Sequence, residues 1–243
     1  MLFRSLDGIT WEPTGNVWLT QFHGETVSLD IFDGRLYASM GDTRYSEGRD
    51  LMKILRTDGS GWELLDTDTL DLGTTDYYFG DMQVFDGALY AGTSGPNDRP
   101  GADRTAEIWR SEDGMAWTRV AELHSPTMAE VESMEVFDGY LYVGTKNHPS
   151  EGVEETGPQL WRTPDGTTWE QVATERQFNT SRLHVDTLKV YGDRLYAGLG
   201  GGNPPAPIAS VYSSENGITW EEETPVGLAD DETNYLVGTM GVA

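Results

Sequence analysis

Five equivalent positions of the chain carry side chains that suit a ligand site. Four of them stand seven residues before the aromatic residue of a repeated hairpin motif, of which VFDG is the clearest copy, and the fifth, Leu236, aligns with these four. Carboxylates and histidine can transfer protons, and tyrosine offers both a ring face and a hydroxyl group. The motif around them is constant while these side chains differ, which is typical of a site built on a repeated frame. The five residues are Glu25, Tyr78, Glu130, His184 and Leu236.

Further candidates lie in the long segments between the motifs. Arginine holds a carboxylate through paired hydrogen bonds, and tryptophan provides a broad apolar face. Long loops on a rigid scaffold are where binding residues collect. The predicted ligand-binding set therefore also includes Arg44, Arg99, Arg104, Arg182 and Trp18.

A second, deeper set of acidic residues follows the first along the same segments. When the repeats are aligned, Glu132 and Asp186 occupy the same position, and Asp81 stands one position later. Converging carboxylates are the oxygen ligands that a hard cation such as Ca²⁺ prefers. No loop has the spacing of an EF-hand, so we expect no resident cofactor or metal, and bound Ca²⁺ stays open as an alternative.

Two hairpin motifs, each repeated about every 52 residues, must position these side chains. The first reads VSLDIFDGRLYASMG from Val27 and returns from Gly80, Glu132 and Asp186. The second reads FRSLDGITW from Phe3 and returns four times, each time ending in tryptophan. Alternating apolar residues flank an Asp-Gly pair, which supplies the positive φ angles of a tight hairpin turn. Two hairpins per repeat predict a four-stranded antiparallel unit, which is one blade of a β-propeller.

The repeat count predicts an all-β propeller in one domain, residues 1–243. Four units are complete, and each end of the chain carries a fragment of another. We expect about five blades, with the last built from both termini and lacking its second strand. A fragment of a longer propeller is the alternative. Open strand edges at an incomplete blade would favour an oligomer.

The second motif resembles the Asp-box, or BNR repeat, whose pattern is Ser/Thr-x-Asp-x-Gly-x-Thr-Trp. The stretches here have one residue fewer between Asp and Gly, the copy ending at Trp62 is shorter still, and Asn216 replaces Asp in the last. In that family the box is a structural turn between the outer strands of a blade. The resemblance implies a structural role for Asp7, Trp11, Asp58, Trp62, Asp113, Trp117, Asp165, Trp169, Asn216 and Trp220.

The charge balance excludes some partners. There are 41 acidic and 16 basic residues, a net charge of −25, and no cysteine. A uniformly acidic surface repels nucleic acid and anionic membranes. Concentrated salt screens such self-repulsion, so we predict a halophilic source and a high-salt environment. Neither a transmembrane run nor a signal peptide is recognisable in this chain, and its compartment stays open.

Two functions fit these features. The first is a non-catalytic propeller that recognises a glycan or a protein partner through its long-loop face. The alternative, implied by the resemblance, is a glycoside hydrolase of the sialidase-like Asp-box type, which needs clustered arginines and paired acidic groups. The Phe-Arg-Ile-Pro signature of sialidases is missing, since Phe3-Arg4 continues with Ser5.

Overall fold

A computed structural model describes residues 3–7, 9–13, 24–42, 52–65, 78–94, 106–123, 128–148, 157–174, 178, 184–200, 209–223 and 240–241. These residues form eighteen β-strands and no helix. None of the described segments is a helix that could cross a membrane.

The strands form a short hairpin, a four-stranded sheet and a twelve-stranded sheet. The twelve-stranded sheet consists of three four-stranded units joined by single residue pairs, and we call the four-stranded sheet and these units blades 1 to 4 in chain order. The N-terminal hairpin consists of β1 (Phe3–Arg4) and β2 (Glu12–Pro13). Blade 1 consists of β3 (Gly24–Phe32), β4 (Arg35–Asp42), β5 (Met52–Thr57) and β6 (Trp62–Leu65). Blade 2 consists of β7 (Tyr78–Phe85), β8 (Ala88–Ser94), β9 (Ala106–Ser111) and β10 (Thr118–Leu123). Blade 3 consists of β11 (Met128–Phe137), β12 (Tyr140–His148), β13 (Leu160–Thr163) and β14 (Glu170–Ala173). Blade 4 consists of β15 (His184–Tyr191), β16 (Arg194–Gly200), β17 (Ser210–Ser214) and β18 (Glu221–Glu222).

The turn between the first two strands of a blade follows from its sequence. Asp33, Asp86 and Asp138 have φ angles of 47°, 45° and 48°, and the glycine after each is also positive. Positive φ at both central residues is the geometry of a type I′ turn, which matches the twist of the flanking strands. In blade 4 the two turn residues stand in the reverse order: Gly192, with φ 62°, precedes Asp193.

Blades pack face to face through apolar side chains. Met82 of β7 is buried in one cluster with Phe32 and Tyr37 of blade 1, and Trp117 from the second hairpin of blade 2 joins them. The next two pairs of blades repeat this arrangement with their own methionine or leucine and aromatic residues. Burial of these faces is therefore the main stabilising term between blades.

Polar side chains link the first strands of neighbouring blades. Ser28 Oγ donates to Asp81 Oδ1 at 2.6 Å, 53 residues along the chain, and Met134 N donates to Asp81 Oδ2 at 2.7 Å. One step further round, Ser133 Oγ donates to the Val185 carbonyl at 2.9 Å. These contacts fix the angle at which successive blades meet. The predicted all-β propeller is confirmed, and its number of blades stays a prediction.

Candidate functional site

The first strand of every blade contains a β-bulge at the same position. The pairing with the second strand shifts between Thr26 and Ser28, Phe79 and Asp81, Val131 and Ser133, and Val185 and Thr187. The extra residues are Val27, Gly80, Glu132 and Asp186. Bulges re-aim side chains and are common beside active sites.

The bulge residue is uncharged in blades 1 and 2 and acidic in blades 3 and 4. At Gly80 a β-carbon would stand 1.6 Å from the Val131 carbonyl oxygen of the next blade, so no side chain fits there. In blades 3 and 4 the same position carries the carboxylates Glu132 and Asp186. An acidic residue is thus aimed off the strand in two adjacent blades.

Lys146 lies between two carboxylates of blade 3. Its Nζ is 3.5 Å from Glu130 Oε2 and 3.4 Å from Glu132 Oε1. Since both oxygens contact one nitrogen, they lie at most about 7 Å apart. Glu130 is almost fully buried, with 1% of its surface exposed.

His184 and Asp186 bring blade 4 into the same group. The backbone of Lys146 pairs with that of His184 across the two blades. His184 Nδ1 lies 3.3 Å from Asp186 Oδ1. The other oxygen, Asp186 Oδ2, is buried without a hydrogen-bond partner among the residues that the structure describes. We call Glu130, Glu132, Lys146, His184 and Asp186 the bulge cluster.

The position of the bulge cluster follows from the strand order. Glu130 and His184 stand at the start of β11 and β15, and Lys146 stands near the end of β12. These ends lie opposite the tight turns, on the rim from which the long connections leave. Glu130 also pairs through its backbone with Ser94 at the end of β8. Blades 2, 3 and 4 therefore meet at this site.

Burial and charge act against each other on Glu132. Burial raises its pKa, Lys146 lowers it, and the neighbouring carboxylate of Glu130 raises it further, so that the pKa stands above the ordinary glutamate value. On Lys146, burial lowers the pKa, but the two glutamates outweigh burial and raise it. The result is a carboxyl group that holds a proton more readily than usual, next to a lysine that stays charged. Such a pair suits general acid catalysis.

Only part of the predicted ligand-binding set falls on described side chains. Glu130 and His184 do, and the structure brings them into one cluster. Glu25 and Tyr78 lie in β3 and β7, but their side chains are outside the described part. The remaining members fall on residues outside the described ranges: Trp18, Arg44, Arg99, Arg104, Arg182 and Leu236.

Lys146 was missed by the sequence reasoning. Its signal is weak: it is one of few lysines in the chain and directly follows the VGT segment of the third repeat. Only the pairing of β11 with β12 brings it opposite Glu130.

Of the three carboxylates expected to converge, Asp81 is engaged in hydrogen bonds between blades, whereas Glu132 and Asp186 belong to the bulge cluster. Asp81 accepts hydrogen bonds from Ser28, Met82 and Met134, which occupy its oxygens at the contact between blades. Burial raises the pKa of Asp81 to about 6. Within the described ranges, no group of three or more His, Asp or Glu side chains is arranged to hold a metal ion.

The turns of the second motif share one hydrogen-bond pattern. Asp165 Oδ1 accepts the backbone N–H groups of Thr167 at 2.8 Å and Thr168 at 2.7 Å. Asp7, Asp113 and Asn216 accept the N–H groups two and three residues later in the same way. In the shorter turn, Asp58 accepts from Ser60 N at 2.9 Å. The tryptophans after these turns differ in exposure: Trp62 and Trp117 are 8% exposed, Trp169 and Trp220 are partly buried, and Trp11 is 60% exposed.

The strand arginines form a second repeated contact, within the blade. Arg110 Nε donates to the Tyr90 hydroxyl at 3.0 Å, and Arg162 Nη1 donates to that of Tyr142 at 3.3 Å. In blade 4, Ser213 occupies the arginine position, and Arg194 reaches it from the neighbouring strand at 3.0 Å. These arginines are engaged away from the bulge cluster.

Comparison with known proteins supports the fold without showing a family. No protein-family model matches the sequence, and no curated protein matches it either. Among solved structures, the chain resembles a GH93 α-L-arabinofuranosidase of Fusarium graminearum in complex with arabinobiose, with a TM-score of 0.56 and 15% identity. The match covers 82% of this chain and 66% of that one.

Two further neighbours are also glycoside hydrolases. A GH43 β-xylosidase/α-arabinofuranosidase from a compost microbial metagenome matches with a TM-score of 0.53 and 12% identity, over 87% of this chain and 79% of that one. A GH32 β-fructofuranosidase from Bombyx mori matches with a TM-score of 0.53 and 14% identity, over 84% of this chain and 48% of that one. At these identities the likeness shows a shared propeller fold.

Proposed function

We propose that the chain is a glycoside hydrolase whose reaction takes place at the bulge cluster. The observation that carries the proposal is that equivalent bulges in adjacent blades bear Glu132, which is paired with Lys146, and Asp186, which lies beside His184. Glycoside hydrolysis needs two carboxyl groups in different environments, one that keeps a proton and one that does not. The alternative function named from the sequence is thereby favoured over the non-catalytic one.

The roles follow from the environments of the two groups. Glu132, whose pKa is raised chiefly by burial, acts as the acid that protonates the departing glycosidic oxygen. Asp186 is the second carboxylate; His184 lies beside one of its oxygens, and the other, Oδ2, is buried and has no hydrogen-bond partner among the described residues. Lys146 holds the buried Glu130 and limits how far the Glu132 pKa rises.

The structural neighbours suggest which glycosides to test first. Those named above are two furanosidases and a β-xylosidase/α-arabinofuranosidase, which supports a furanoside or xyloside as substrate. Candidate substrates are aryl α-L-arabinofuranoside, aryl β-xyloside, arabinobiose, xylotriose and sucrose. The sialidase type is tested in parallel with an aryl sialoside.

The experiment measures hydrolysis of each substrate at low and at molar salt, because the net charge of −25 makes folding salt-dependent. Glu132→Gln and Asp186→Asn should each lower kcat by about a hundredfold or more. Glu222→Gln is the matched control, since it removes an exposed carboxylate from the outermost strand of blade 4. The stereochemistry of the product sugar then tells whether Asp186 acts as nucleophile or base.

A non-catalytic glycan-binding propeller is the second candidate. The observation that favours it is that Lys146 ties two of the carboxylates into ion pairs. In that case the oligosaccharides bind and are not cleaved, and Glu132→Gln changes affinity alone. If the protein, folded as judged by circular dichroism, neither binds nor cleaves any of the glycosides, both proposals are wrong.

A further inference from the structure

A repeated contact joins the outer part of each blade to the blade before it. A β-carbon at Gly114 of blade 2 would stand 2.1 Å from the Tyr37 hydroxyl oxygen of blade 1. At Gly166 and Gly217 the corresponding distances to Tyr90 and Tyr142 are 1.8 Å and 2.0 Å. In each case the turn glycine of the second motif covers the tyrosine of the preceding blade. The covered tyrosines are at most 1% exposed.

Blade 4 has the same aromatic pair without this cover. The ring centroids of Tyr191 and Tyr196 lie 6.4 Å apart with the rings tilted by 55°, as those of Phe137 and Tyr142 lie 6.2 Å apart at 54° in blade 3. Phe137 is 8% exposed, whereas Tyr191 is 63% exposed. The forward face of blade 4 is therefore a copy of the buried faces of blades 1 to 3 that remains open.

Part of this face is already occupied by the chain itself. A cleft of about 240 Å³ is lined by Lys189, Tyr191, Tyr196, Met240 and Gly241. By alignment of the repeats, Met240 corresponds to Leu188, Met134 and Met82, the residues that pack against a preceding blade. Met240 and Gly241 thus lie where the first strand of a next blade belongs. These two residues do not supply the second hairpin of that blade, with its turn glycine and its tryptophan.

The N-terminal hairpin has the properties of that missing part. Asp7 Oδ1 accepts the N–H groups of Ile9 and Thr10 at 2.8 Å and 2.7 Å, as in the other turns, and in the sequence Gly8 aligns with the other turn glycines. Its tryptophan, Trp11, is 60% exposed, whereas the equivalent Trp117 is 8% exposed against blade 1. The hairpin thus has an exposed tryptophan, and blade 4 has the exposed aromatic face against which such a tryptophan packs in the other blades.

Blade 1 also has an exposed apolar face, as expected if the N-terminal hairpin packs beside it. Leu29 and Ile31 of β3 are 53% and 68% exposed, while the equivalent Met82 is 3% exposed. In a ring that this hairpin closes, the hairpin would also lie beside blade 1. Both faces lose their exposed apolar surface in one step, which is favourable by burial alone.

We propose that the N-terminal hairpin docks on blade 4 of the same chain, with Trp11 against Tyr191 and Tyr196, and that Gly8, which the repeats align with Gly114, Gly166 and Gly217, takes the same place over Tyr196. The hairpin and the C-terminal segment then form a fifth blade that closes the ring. This inference is independent of the proposed hydrolase activity, because it concerns the contact between blades and not the bulge cluster.

Labelling of a single introduced thiol tests the docking, since the chain contains no cysteine. Tyr191→Cys places the thiol on the interface, and Asp193→Cys places one in the neighbouring exposed turn as the matched control. With the hairpin docked, Tyr191→Cys reacts with a thiol reagent roughly tenfold or more slowly than Asp193→Cys, because reaction requires local opening. Adding Gly8→Leu then raises the rate at Tyr191→Cys and leaves the Asp193→Cys rate unchanged.

Equal rates for the two thiols would overturn the proposal, because the face would then be open. Protection that disappears on dilution would also overturn it, since a second copy would then supply the hairpin. A second measurement does not depend on Tyr191. The urea midpoints of Gly8→Ala, Tyr196→Leu and the double variant should be non-additive, as those of Gly166→Ala, Tyr90→Leu and their double variant should be. Additive shifts in the first set alone contradict the docking.

Discussion

The Tyr90 hydroxyl of blade 2 lies directly against the backbone of Gly166 in blade 3, where a β-carbon would stand 1.8 Å from its oxygen. Gly166→Ala should therefore destabilise the protein in two ways. The left-handed backbone, with φ 74°, costs an alanine about 1 kcal/mol, and the clash adds about 1–3 kcal/mol.

Gly139→Ala is the control for this variant. Gly139 has φ 77°, and nothing lies within 4 Å of a β-carbon there, so only the backbone term applies. The free energy of unfolding, measured by urea denaturation, should fall clearly more for Gly166→Ala than for Gly139→Ala. Equal losses would mean that the two blades separate easily at this contact.

Asp81 should make stability depend on pH. Burial raises its pKa from 3.8 to about 6, so the folded protein binds a proton that the unfolded chain has released between these values. The stabilising effect of the protonated form is complete below the unfolded pKa and is lost as the pH rises through about 6. Asp81→Asn removes this loss, which amounts to about 3 kcal/mol for a shift of this size.

The comparison to make is the difference in unfolding free energy between wild type and Asp81→Asn at pH 4 and at pH 7. The free energy of unfolding of Asp81→Asn should increase relative to that of the wild type as the pH rises. Asp193→Asn, which changes an exposed turn carboxylate, should follow the wild type. A pH-independent difference for Asp81→Asn would show that its three hydrogen bonds, and not its burial, dominate.

Asp113→Asn and Asp113→Ala should differ although both remove a charge. The Asp113 carboxylate accepts the N–H groups of Met115 and Ala116, and these bonds hold its pKa below the ordinary value. Asn216 makes the equivalent bonds in blade 4 at 2.9 Å and 2.8 Å, so an amide oxygen is sufficient. We expect a small loss of thermal stability for Asp113→Asn and a larger loss for Asp113→Ala.

The pH series separates the two contributions in this turn. Because the folded pKa is lowered, the charge of Asp113 stabilises the protein above the unfolded pKa, and the effect is lost as the pH falls towards the folded value. Asp113→Asn should therefore lose its small disadvantage in acid, whereas Asp113→Ala should stay less stable at every pH. Equal melting temperatures for the two variants at neutral pH would contradict a structural role of the side-chain oxygen.

Lys146→Met should move the alkaline limb of the activity profile. Lys146 lowers the pKa of Glu132, so its removal lets burial and Glu130 raise that pKa further. If Glu132 is the general acid, kcat should then persist to higher pH, even though its maximum falls. Lys53→Met, in blade 1, serves as the control and should leave the profile in place. An unchanged alkaline limb in Lys146→Met would assign the acid to another residue.

Much of the architecture is determined by local chemistry. The Asp-Gly pairs specify tight turns because only certain residues accept positive φ, and the alternating apolar residues specify which face of each strand is buried. Repetition of these signals about every 52 residues then predicts stacked four-stranded blades. The high-salt environment inferred from the charge, and the Asp-box resemblance itself, stay predictions.

The site was only partly predictable, and the reason lies in register. Glu130 and His184 are at equivalent repeat positions, which the sequence displays directly. Glu132 and Asp186 are aimed off their strands by bulges, and a bulge depends on how two strands pair rather than on either sequence alone. Lys146 reaches the carboxylates through the pairing of β11 with β12, and Asp81 is withdrawn from them by hydrogen bonds to two neighbouring blades. The sequence by itself determined the strands, turns and repeat. Only the tertiary structure decided which charged groups share one low-dielectric space, because that depends on contacts between residues far apart in the chain.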